Sequence, residues 1–534
     1  MSKNIYIKST LNFAMDILFL RAPHKIWKLI THWDNFVPDL GQLSIAAFLR
    51  EKGCEIRALD SCINQWGWNT TTKAMKMLDP PVVGLGGPIT WYEENMRMFR
   101  ILKELNPNIV NIYGGPFPTL CPEKVIFPGS PVDYIVYGEG EYTTWELLKE
   151  LRKSETQRDF SAIRGLIYLE NNLMKFTPPR PLIKNLDELP IPAYDLLPMD
   201  RYGDKRGMWG NLISVYHSKG CVDNCKFCSC WRLGGDIKSY SSGDMNVTQC
   251  WRTKSVNKTL EELKYIQDTW HKELFLFCDD TWNANPKWNE EYANKYHKEY
   301  GLETDWFAFM RADFIYRDIK NGIFKKLYDD AYLRHIIVGI EKGTQFGLDT
   351  LGKHTKPTHS EYMVRWIREN CRDLFVQGTF ISGLWEDKPE DFYAQERFAK
   401  AIGVDYPCFH VVTPFPGTDI YKWYDDQNLI DKTISFEDYE FDTAIVPTKY
   451  MTQQEIAKVN KKINMQYASD PVYMLRGLFL TGRARAKLYR QFVKRMIILL
   501  SEALLKFENP FVVDEVKGKH TDLFNNVEPR WYNS

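Results

Sequence analysis

The first 175 residues alternate short apolar runs with segments of helical periodicity, a pattern that few folds satisfy. Apolar runs of about five residues suit buried strands, and the amphipathic segments between them suit helices. Strands that are joined through helices lie parallel in a sheet covered on both faces. The pattern therefore predicts a doubly wound α/β domain at residues 1–175. The apolar runs are 16–20, 55–59, 82–85 and 109–113, and the helical segments include 43–50 and 94–105.

Three pairs of glycines follow predicted strands of this region. Open parallel sheets bind ligands in a crevice at the carboxyl ends of their strands, so these glycines are candidates for lining such a crevice. Glycine also lets the backbone approach a flat ligand closely. The alternative is that they serve turns alone. The pairs are Gly86 and Gly87, Gly114 and Gly115, and Gly138 and Gly140.

The rest of the chain divides into three parts. Residues 176–210 are rich in proline and lack long periodicity, which indicates a linker. Strand and helix patterns alternate again over 211–440 and predict a second α/β domain, a partial (β/α) barrel. Residues 441–534 are mainly helical in pattern and predict a helical C-terminal domain.

Composition excludes several classes of protein. Lys plus Arg and Asp plus Glu both number 69, so the chain lacks the positive field of a nucleic-acid-binding protein. Its 11 cysteines are too few and too unevenly spaced for a disulfide framework, which favours a reducing, cytoplasmic setting. The sequence contains no run of about 18 apolar residues, so no transmembrane segment is predicted. A basic stretch over 476–495 could contact a membrane surface, and the alternative is that it forms a solvated helix face.

Four cysteines crowd into the segment 221–230, at the start of the predicted barrel. Three of them, Cys221, Cys225 and Cys228, can converge on one inorganic cluster and leave one metal site open. A structural zinc site would need a distant second pair of ligands, which the sequence lacks. An electron-transfer cluster would need a fourth cysteine, and Cys230 is expected to point away. The spacing favours an iron–sulfur cluster with an open site, with zinc and electron transfer as alternatives.

This segment resembles the radical S-adenosylmethionine (radical SAM) enzymes, whose loop has the spacing C-x3-C-x2-C with an aromatic residue before the last cysteine, here Phe227. The resemblance implies that the three thiolates hold a 4Fe-4S cluster whose open iron binds S-adenosylmethionine. It also implies that Phe227 lies near the adenine, with loop packing as the alternative. An external electron donor such as flavodoxin or ferredoxin would reduce the cluster.

The resemblance covers roughly residues 15–425 and is greatest to the cobalamin-binding subgroup, in which a Rossmann-like domain precedes the radical SAM barrel. It implies that cobalamin lies against Tyr113 and the three glycine pairs. The sequence departs from the D-x-H-x-x-G loop of classical cobalamin proteins, because His24 and His32 lack that context. A second cluster domain is the less favoured alternative. It would use Cys54, Cys62 and Cys121.

Five further residues at predicted strand ends are candidate ligands of S-adenosylmethionine. By the resemblance, Asp279 or Asp280 would accept hydrogen bonds from the methionyl ammonium, with helix capping as the alternative role. Arg311 would bind a carboxylate and Glu341 the ribose or the ammonium, unless the two form a salt bridge with each other. Gly378 would let the backbone approach the nucleoside, unless it serves a turn.

The resemblance implies a cobalamin-dependent C-methyltransferase. One S-adenosylmethionine would methylate cobalt, and a second would give the 5'-deoxyadenosyl radical, which abstracts a substrate hydrogen before methyl transfer from methylcobalamin. One alternative is a cobalamin-binding radical enzyme that does not methylate, such as a tetrapyrrole oxidative cyclase or a ring-rearranging enzyme. A more distant one is an iron–sulfur redox protein. The substrate stays open among a small molecule, a peptide and a tetrapyrrole.

Overall fold

The computed structural model describes residues 15–24, 37–203, 210–241, 244–480, 482–491 and 493–494. It contains two large sheets, one before and one after the predicted linker. The predicted late helical segment beyond residue 494, part of the basic stretch and His32 lie outside the described residues. No helix in the described ranges is both long and apolar enough to cross a membrane.

The N-terminal sheet has seven strands: β1 (Ile17–Arg21), β2 (Ile56–Asp60), β3 (Val82–Leu85), β4 (Val110–Gly114), β5 (Tyr134–Val136), β6 (Leu166–Glu170) and β7 (Leu173–Phe176). Their spatial order is β2-β1-β3-β4-β5-β6-β7. The first five strands are parallel, as the alternation predicts, whereas β6 and β7 form an antiparallel edge that the sequence analysis did not anticipate. The chain reverses its direction of winding between β1 and β3, where a ligand crevice is expected.

Helices cover both faces of this sheet because each carries an apolar stripe. In the longest of them Met96, Phe99 and Leu102 are buried at a spacing of three residues. The helices are α1 (Leu40–Glu51), α2 (Trp68–Leu78), α3 (Tyr92–Leu105), α4 (Pro116–Leu120), α5 (Pro122–Val125) and α6 (Gly140–Leu151).

The second large sheet has six parallel strands and stays open, so it is the predicted partial barrel. Two short antiparallel ribbons precede its second strand. In chain order the strands of the sheet are β8 (Leu212–Val215), β13 (Leu274–Phe277), β14 (Asp305–Met310), β15 (Leu333–Glu341), β16 (Phe375–Ser382) and β17 (Tyr406–Val411). The ribbon strands are β9 (Ser218–Gly220), β10 (Asp236–Ser241), β11 (Asp244–Thr248) and β12 (Trp251–Thr253). The spatial order of the sheet is β17-β16-β15-β14-β13-β8, and the ribbons pair β10 with β11 and β12 with β9.

The helices of the barrel pack on the outer side of this sheet, and two further helices follow it. The barrel helices are α7 (Cys230–Leu233), α8 (Val256–Trp270), α9 (Pro286–Tyr296), α10 (Ala312–Lys320), α11 (Ile323–Asp329), α12 (Gln345–Thr350), α13 (Pro357–Asn370), α14 (Pro389–Ile402) and α15 (Asp419–Asp426). The C-terminal helices are α16 (Gln453–Ala468) and α17 (Pro471–Phe479). The predicted fold class, an α/β chain with a helical C-terminal region, is confirmed.

Alternate residues of the barrel strands face a concave surface that is only partly covered. Phe309 is 41% exposed although it lies in a central strand. At the amino ends of the strands the concave surface is closed by a small apolar cluster of Leu212, Leu274 and Phe307. The surface is therefore open at the carboxyl ends of the strands, where barrel enzymes place their ligands.

One hydrophobic cluster is shared by the two domains. A cluster built mainly on the N-terminal strands also includes Leu384 and Tyr424 from the barrel half of the chain. After β17, the turn at Gly417 lies so close to the N-terminal domain that an added Cβ would come within 2.7 Å of Leu120. The barrel is thus held against the carboxyl ends of the N-terminal strands.

Candidate active site

The cysteine loop lies at the junction of the two domains. Strand β9 pairs with β12 and leads directly into Cys221. Gly220 has a φ of +85°, and a Cβ there would collide with the Cys250 carbonyl, so glycine is required at the entry to the loop. The short helix α7 then ends the loop and turns the chain back.

The three cysteine thiols lie in different surroundings. Cys221 Sγ is 3.2 Å from the hydroxyl of Thr281, and Cys225 is buried beside Asp223. Burial raises the pKa of both cysteines. A hydrogen bond from Cys230 lowers the pKa of Cys228. Contrary to expectation, Cys230 therefore does not point away, because α7 begins at this residue and folds it back toward Cys228.

The donor set fits an iron–sulfur cluster better than a single ion. In the described part of the chain no group of three or more His, Cys, Asp or Glu side chains is placed to hold one metal ion. A zinc ion bonds sulfur at about 2.3 Å, so thiolates that share one ion lie within about 4 Å of one another. Three soft thiol donors on one loop suit a cluster of several iron atoms.

Asp279 holds the segment that leads into the cysteine loop. Its Oδ1 accepts hydrogen bonds from the backbone N–H groups of His217 (3.1 Å) and Ser218 (2.5 Å), and lies 2.7 Å from His217 Nδ1. Burial alone would raise its pKa, but His217 and Ser218 outweigh that effect and lower it. This carboxylate is fully buried and does not face the concave surface, so it positions the segment that leads to Cys221.

The neighbouring Asp280 has the opposite environment. Its side chain is exposed at the mouth of the barrel, next to Cys230. Desolvation by the surrounding protein raises its pKa to about 6, and Asp279 adds to the shift. Of the two predicted aspartates, only Asp280 is exposed to a ligand, and its carboxylate also contacts the Cys230 thiol.

Arg311 is held by two carboxylates of the protein itself. It pairs with Asp223, which lies inside the cysteine loop, and with Asp313 at 3.1 Å. His354 Nδ1 contacts the other oxygen of Asp223 at 2.6 Å. Burial alone would raise the pKa of Asp223, but His354 and Arg311 bring it to about 2. Arg311 therefore braces the cluster loop, and the alternative salt bridge between Arg311 and Glu341 does not form.

Glu341 ends β15 with a strained backbone. Its φ is +61°, and a register shift in the pairing with β16 accompanies this turn. The carboxylate accepts a hydrogen bond from Lys353 at 2.8 Å and contacts the hydroxyl of Thr379. It lies over Gly339, where any Cβ would collide with it. The carboxylate thus stands on the concave surface, where the resemblance places a ligand of S-adenosylmethionine.

Gly378 and Phe227 have packing roles. A Cβ on Gly378 would lie 2.8 Å from Ile340 and 3.3 Å from Val404, so the tight fit there is with the core. Phe227 is partly buried and packs against the core cluster of the N-terminal domain. The space beside Gly378 therefore lies in the core and not on the concave surface.

The glycine pairs do meet at the carboxyl ends of β3, β4 and β5. A Cβ on Gly115, whose φ is +93°, would lie 3.3 Å from the backbone of Gly87, so these two loops touch. Gly86 and Gly114 are close neighbours as well, and Gly138, with a φ of +72°, has no tight contact. Bare backbone of these loops therefore meets at the carboxyl ends of the strands, where a parallel sheet is expected to have its ligand crevice.

Three of the predicted crevice residues are needed for packing instead. A Cβ on Gly87 would collide with Trp91, whose ring also stacks on the buried His24 at 4.2 Å. A Cβ on Gly140 would lie 2.6 Å from Ile45. Tyr113 is fully buried, and its hydroxyl accepts a hydrogen bond from Asn95, so its ring is part of the core.

The residues that support the loop were not predicted from the sequence. Asp223, His354 and Lys353 lie near the cysteines or Glu341, but they come from separate loops that only the fold brings together. Asp223 alone carried a signal, since an acidic residue inside a thiolate loop needs a cationic partner.

Comparison with known proteins shows what the chain is similar to. Residues 26–148 match the B12 binding domain. An uncharacterised methyltransferase of Pyrococcus horikoshii is 29% identical over 442 residues, which cover 83% of this chain and 90% of the relative. An anaerobic magnesium-protoporphyrin IX monomethyl ester cyclase of Rubrivivax gelatinosus is 24% identical over 420 residues, 77% of this chain and 70% of that protein.

Solved structures show the same fold over almost the whole chain. The radical SAM methyltransferase TsrM of Kitasatospora setae has a TM-score of 0.67 and 15% identity, covering 92% of this chain and 100% of TsrM. The protein has the architecture of the cobalamin-binding radical SAM family. The cobalamin-dependent radical SAM enzyme OxsB gives a TM-score of 0.66 at 15% identity, covering 96% of this chain and 78% of OxsB. The predicted resemblance to this family is confirmed.

Proposed function

We propose that this protein is a cobalamin-dependent radical SAM methyltransferase that adds a methyl group to an unactivated carbon. When bound, the 4Fe-4S cluster supplies the electron that cleaves S-adenosylmethionine, and cobalamin carries the methyl group. The relatives named methyltransferases support this proposal.

One observation carries the proposal: the glycine-lined crevice and the cysteine loop meet at a single junction. Glu141, in the first turn after Gly138 and Gly140, pairs with Lys219, two residues before Cys221. A corrin in the crevice and a cluster on the loop would therefore face the same space. A methyl donor and a radical source that act on one carbon need this proximity.

The chain's own residues would divide the work. Cys221, Cys225 and Cys228 hold the cluster, and Asp279 and Arg311 fix the loop that presents them. Asp280 and the Glu341 carboxylate stand at the mouth of the barrel, where either can accept a hydrogen bond from a bound ammonium or hydroxyl. The backbone of Gly86, Gly114, Gly115 and Gly138 would lie against cobalamin.

The substrate would lie on the concave surface. Its β13–β14 side presents apolar Leu276 and Phe309, whereas its β17 side presents Cys408 and His410. Burial alone would lower the pKa of His410, but Asp442 and Cys408 raise it to about 10. We infer an amphipathic substrate whose polar group lies toward β17.

The test is anaerobic reconstitution with iron, sulfide and hydroxocobalamin, followed by reductant and S-adenosylmethionine. We expect 5'-deoxyadenosine to form and a corrin to stay bound through gel filtration. The Cys225→Ala variant should form no 5'-deoxyadenosine. Cleavage by that variant would overturn the cluster assignment, and loss of the corrin would overturn the cobalamin assignment.

A second candidate is a cobalamin-binding radical enzyme that oxidises or rearranges without methylation. The similarity to the magnesium-protoporphyrin cyclase of Rubrivivax gelatinosus supports this second candidate. With S-adenosylmethionine labelled in its methyl group, a methyltransferase gives a labelled product, whereas a cyclase gives none.

The electron donor is also part of the proposal. We infer an external one-electron donor of the flavodoxin or ferredoxin type, acting in a reducing, cytoplasmic setting, because air-sensitive thiolates must stay reduced. Replacement of a chemical reductant by reduced flavodoxin should sustain 5'-deoxyadenosine formation.

A further inference from the structure

A cavity of about 810 Å³ lies outside the barrel, next to the carboxyl ends of β15 and β16. Its walls come from α12, α14, α15 and the loop after β16. None of its lining residues belongs to the N-terminal domain. At the end of β15 the chain divides two spaces: the Glu341 carboxylate stands on the concave surface, whereas Lys342 lines the cavity. The cavity is therefore separate from the proposed reaction site.

Aromatic rings dominate the walls. Phe346 is 73% exposed and Trp423 is 42% exposed, although both are large apolar side chains. The ring centroids of Trp423 and Trp385 are 5.9 Å apart. Exposed apolar rings that face one concave space indicate a binding site, and the volume is within the usual range for small-molecule pockets. The rings are suited to stacking on a flat aromatic ligand.

The polar groups of the cavity select the charge of the ligand. Lys342 is neutralised by Asp387 at 2.6 Å, and Asp419 pairs with Arg232. The carboxylate of Asp391 accepts a hydrogen bond from the Lys388 backbone N–H at 2.8 Å and caps α14. Glu386 lies 3.5 Å from Lys449. Lys226 has no ion-pair partner among the described residues, so it is the lining cation that is available to a ligand.

A buried hydroxyl adds a second anchoring point. Tyr424 lines the cavity and is 1% exposed. Its hydroxyl lies near the backbone N–H of Trp385, yet it completes no hydrogen bond with the described residues. A buried donor without an acceptor is costly, and a ligand oxygen would relieve that cost.

We propose that this cavity is a second ligand site, which binds an aromatic anion. The flat body of the ligand lies between Phe346, Trp385 and Trp423, and its acidic group contacts Lys226. An acceptor atom of the ligand accepts a hydrogen bond from the Tyr424 hydroxyl. Because Lys226 lies between Cys225 and Cys228, the occupant touches the cluster loop without using the cluster, S-adenosylmethionine or cobalamin. This site goes beyond the proposed function and does not depend on it.

The test uses protein loaded with cluster, cobalamin and S-adenosylmethionine, so that the other clefts are filled. The probes are 8-anilinonaphthalene-1-sulfonate, which is a flat aromatic anion, and its uncharged counterpart N-phenyl-1-naphthylamine. We expect one saturable site in a fluorescence titration. Lys226→Met should weaken binding of the anionic probe about tenfold and leave the neutral probe almost unchanged. Lys264→Met, on the distant surface of α8, is the matched control and should change neither.

A variant that fills the cavity tests the site without changing its charge. Ala394 is exposed and lines the cavity, so Ala394→Phe should remove binding of both probes while the thermal midpoint stays the same. Phe346→Ser should weaken both probes. Titrations that do not saturate, or full binding in the Ala394→Phe variant, would overturn the proposal.

Discussion

Glu141 and Lys219 form an ion pair of 3.0 Å that joins the N-terminal domain to the cysteine loop. Glu141 is 2% exposed, and burial alone would raise its pKa, but the ammonium of Lys219 holds the pKa below the usual value. The pair sits two residues before Cys221. It therefore fixes the position of the loop relative to the glycine-lined crevice.

Replacing Glu141 by Gln should leave Lys219 with only the longer contact to Glu139, at 3.5 Å, in a mostly buried site. We expect the free energy of unfolding in urea to fall by about 2–3 kcal/mol. The matched control is Glu170→Gln, which breaks an exposed pair with Lys175 and should cost less than about 0.5 kcal/mol. Equal losses in the two variants would show that the Glu141 pair is not buried in solution.

Asp279 and Asp280 are neighbours with different roles, which makes them a matched test. Asp279→Asn should lower the free energy of unfolding by about 2–3 kcal/mol and reduce bound iron, because the backbone N–H groups before Cys221 lose a carboxylate acceptor. Asp280→Asn should leave stability within about 0.5 kcal/mol of the parent protein, since its side chain is exposed. The reverse order would contradict the supporting role of Asp279.

Cys230 lies beside Cys228, yet the proposed cluster needs only three thiolates. The Cys230→Ser variant should retain iron and sulfide near the parent level and still form 5'-deoxyadenosine. Cys228→Ser should lose most of both. Iron loss from the Cys230 variant equal to that from the Cys228 variant would identify Cys230 as a fourth ligand and refute an open-site cluster.

His335 predicts an acid-dependent loss of stability. Its ring is buried between Phe307 (4.7 Å) and Phe375 (5.1 Å), and burial lowers its pKa to about 3. The unfolded chain binds the extra proton below about pH 6.5, so stability falls as the pH falls. This histidine should contribute a loss of about 2 kcal/mol between neutral pH and pH 5, and His335→Phe should remove that part of the slope. The same dependence of the free energy of unfolding on pH in both proteins, measured by urea unfolding, would contradict the assignment.

The sequence predicted those parts of the molecule that local pattern controls. The period of the apolar residues predicted both sheets, and the cysteine spacing predicted where the candidate cluster loop lies. The antiparallel edge of β6 and β7 was missed because these strands are short, each contains a charged residue (Glu170 and Lys175), and β7 is largely exposed, so their apolar pattern is weak.

Side-chain partners were predicted less well because they depend on chain segments far apart in sequence. Arg311 was expected to meet a ligand, but it is held by Asp223, 88 residues away. Gly378 and Gly140 looked like ligand-approach positions, yet the atoms that exclude a Cβ there are Ile340 and Ile45. A sequence shows that a glycine is present, and only the fold shows what occupies the space beside it.

The shared core has a consequence for how the chain can be divided. Leu120 packs under the turn at Gly417, and Leu384 and Tyr424 belong to the same apolar cluster as the N-terminal strands. Cutting the chain in the proline-rich linker would leave an uncovered apolar surface on each fragment, and such surfaces aggregate. The two cofactor-binding halves must therefore be made and folded together, and neither half is expected to be separable as an independent module.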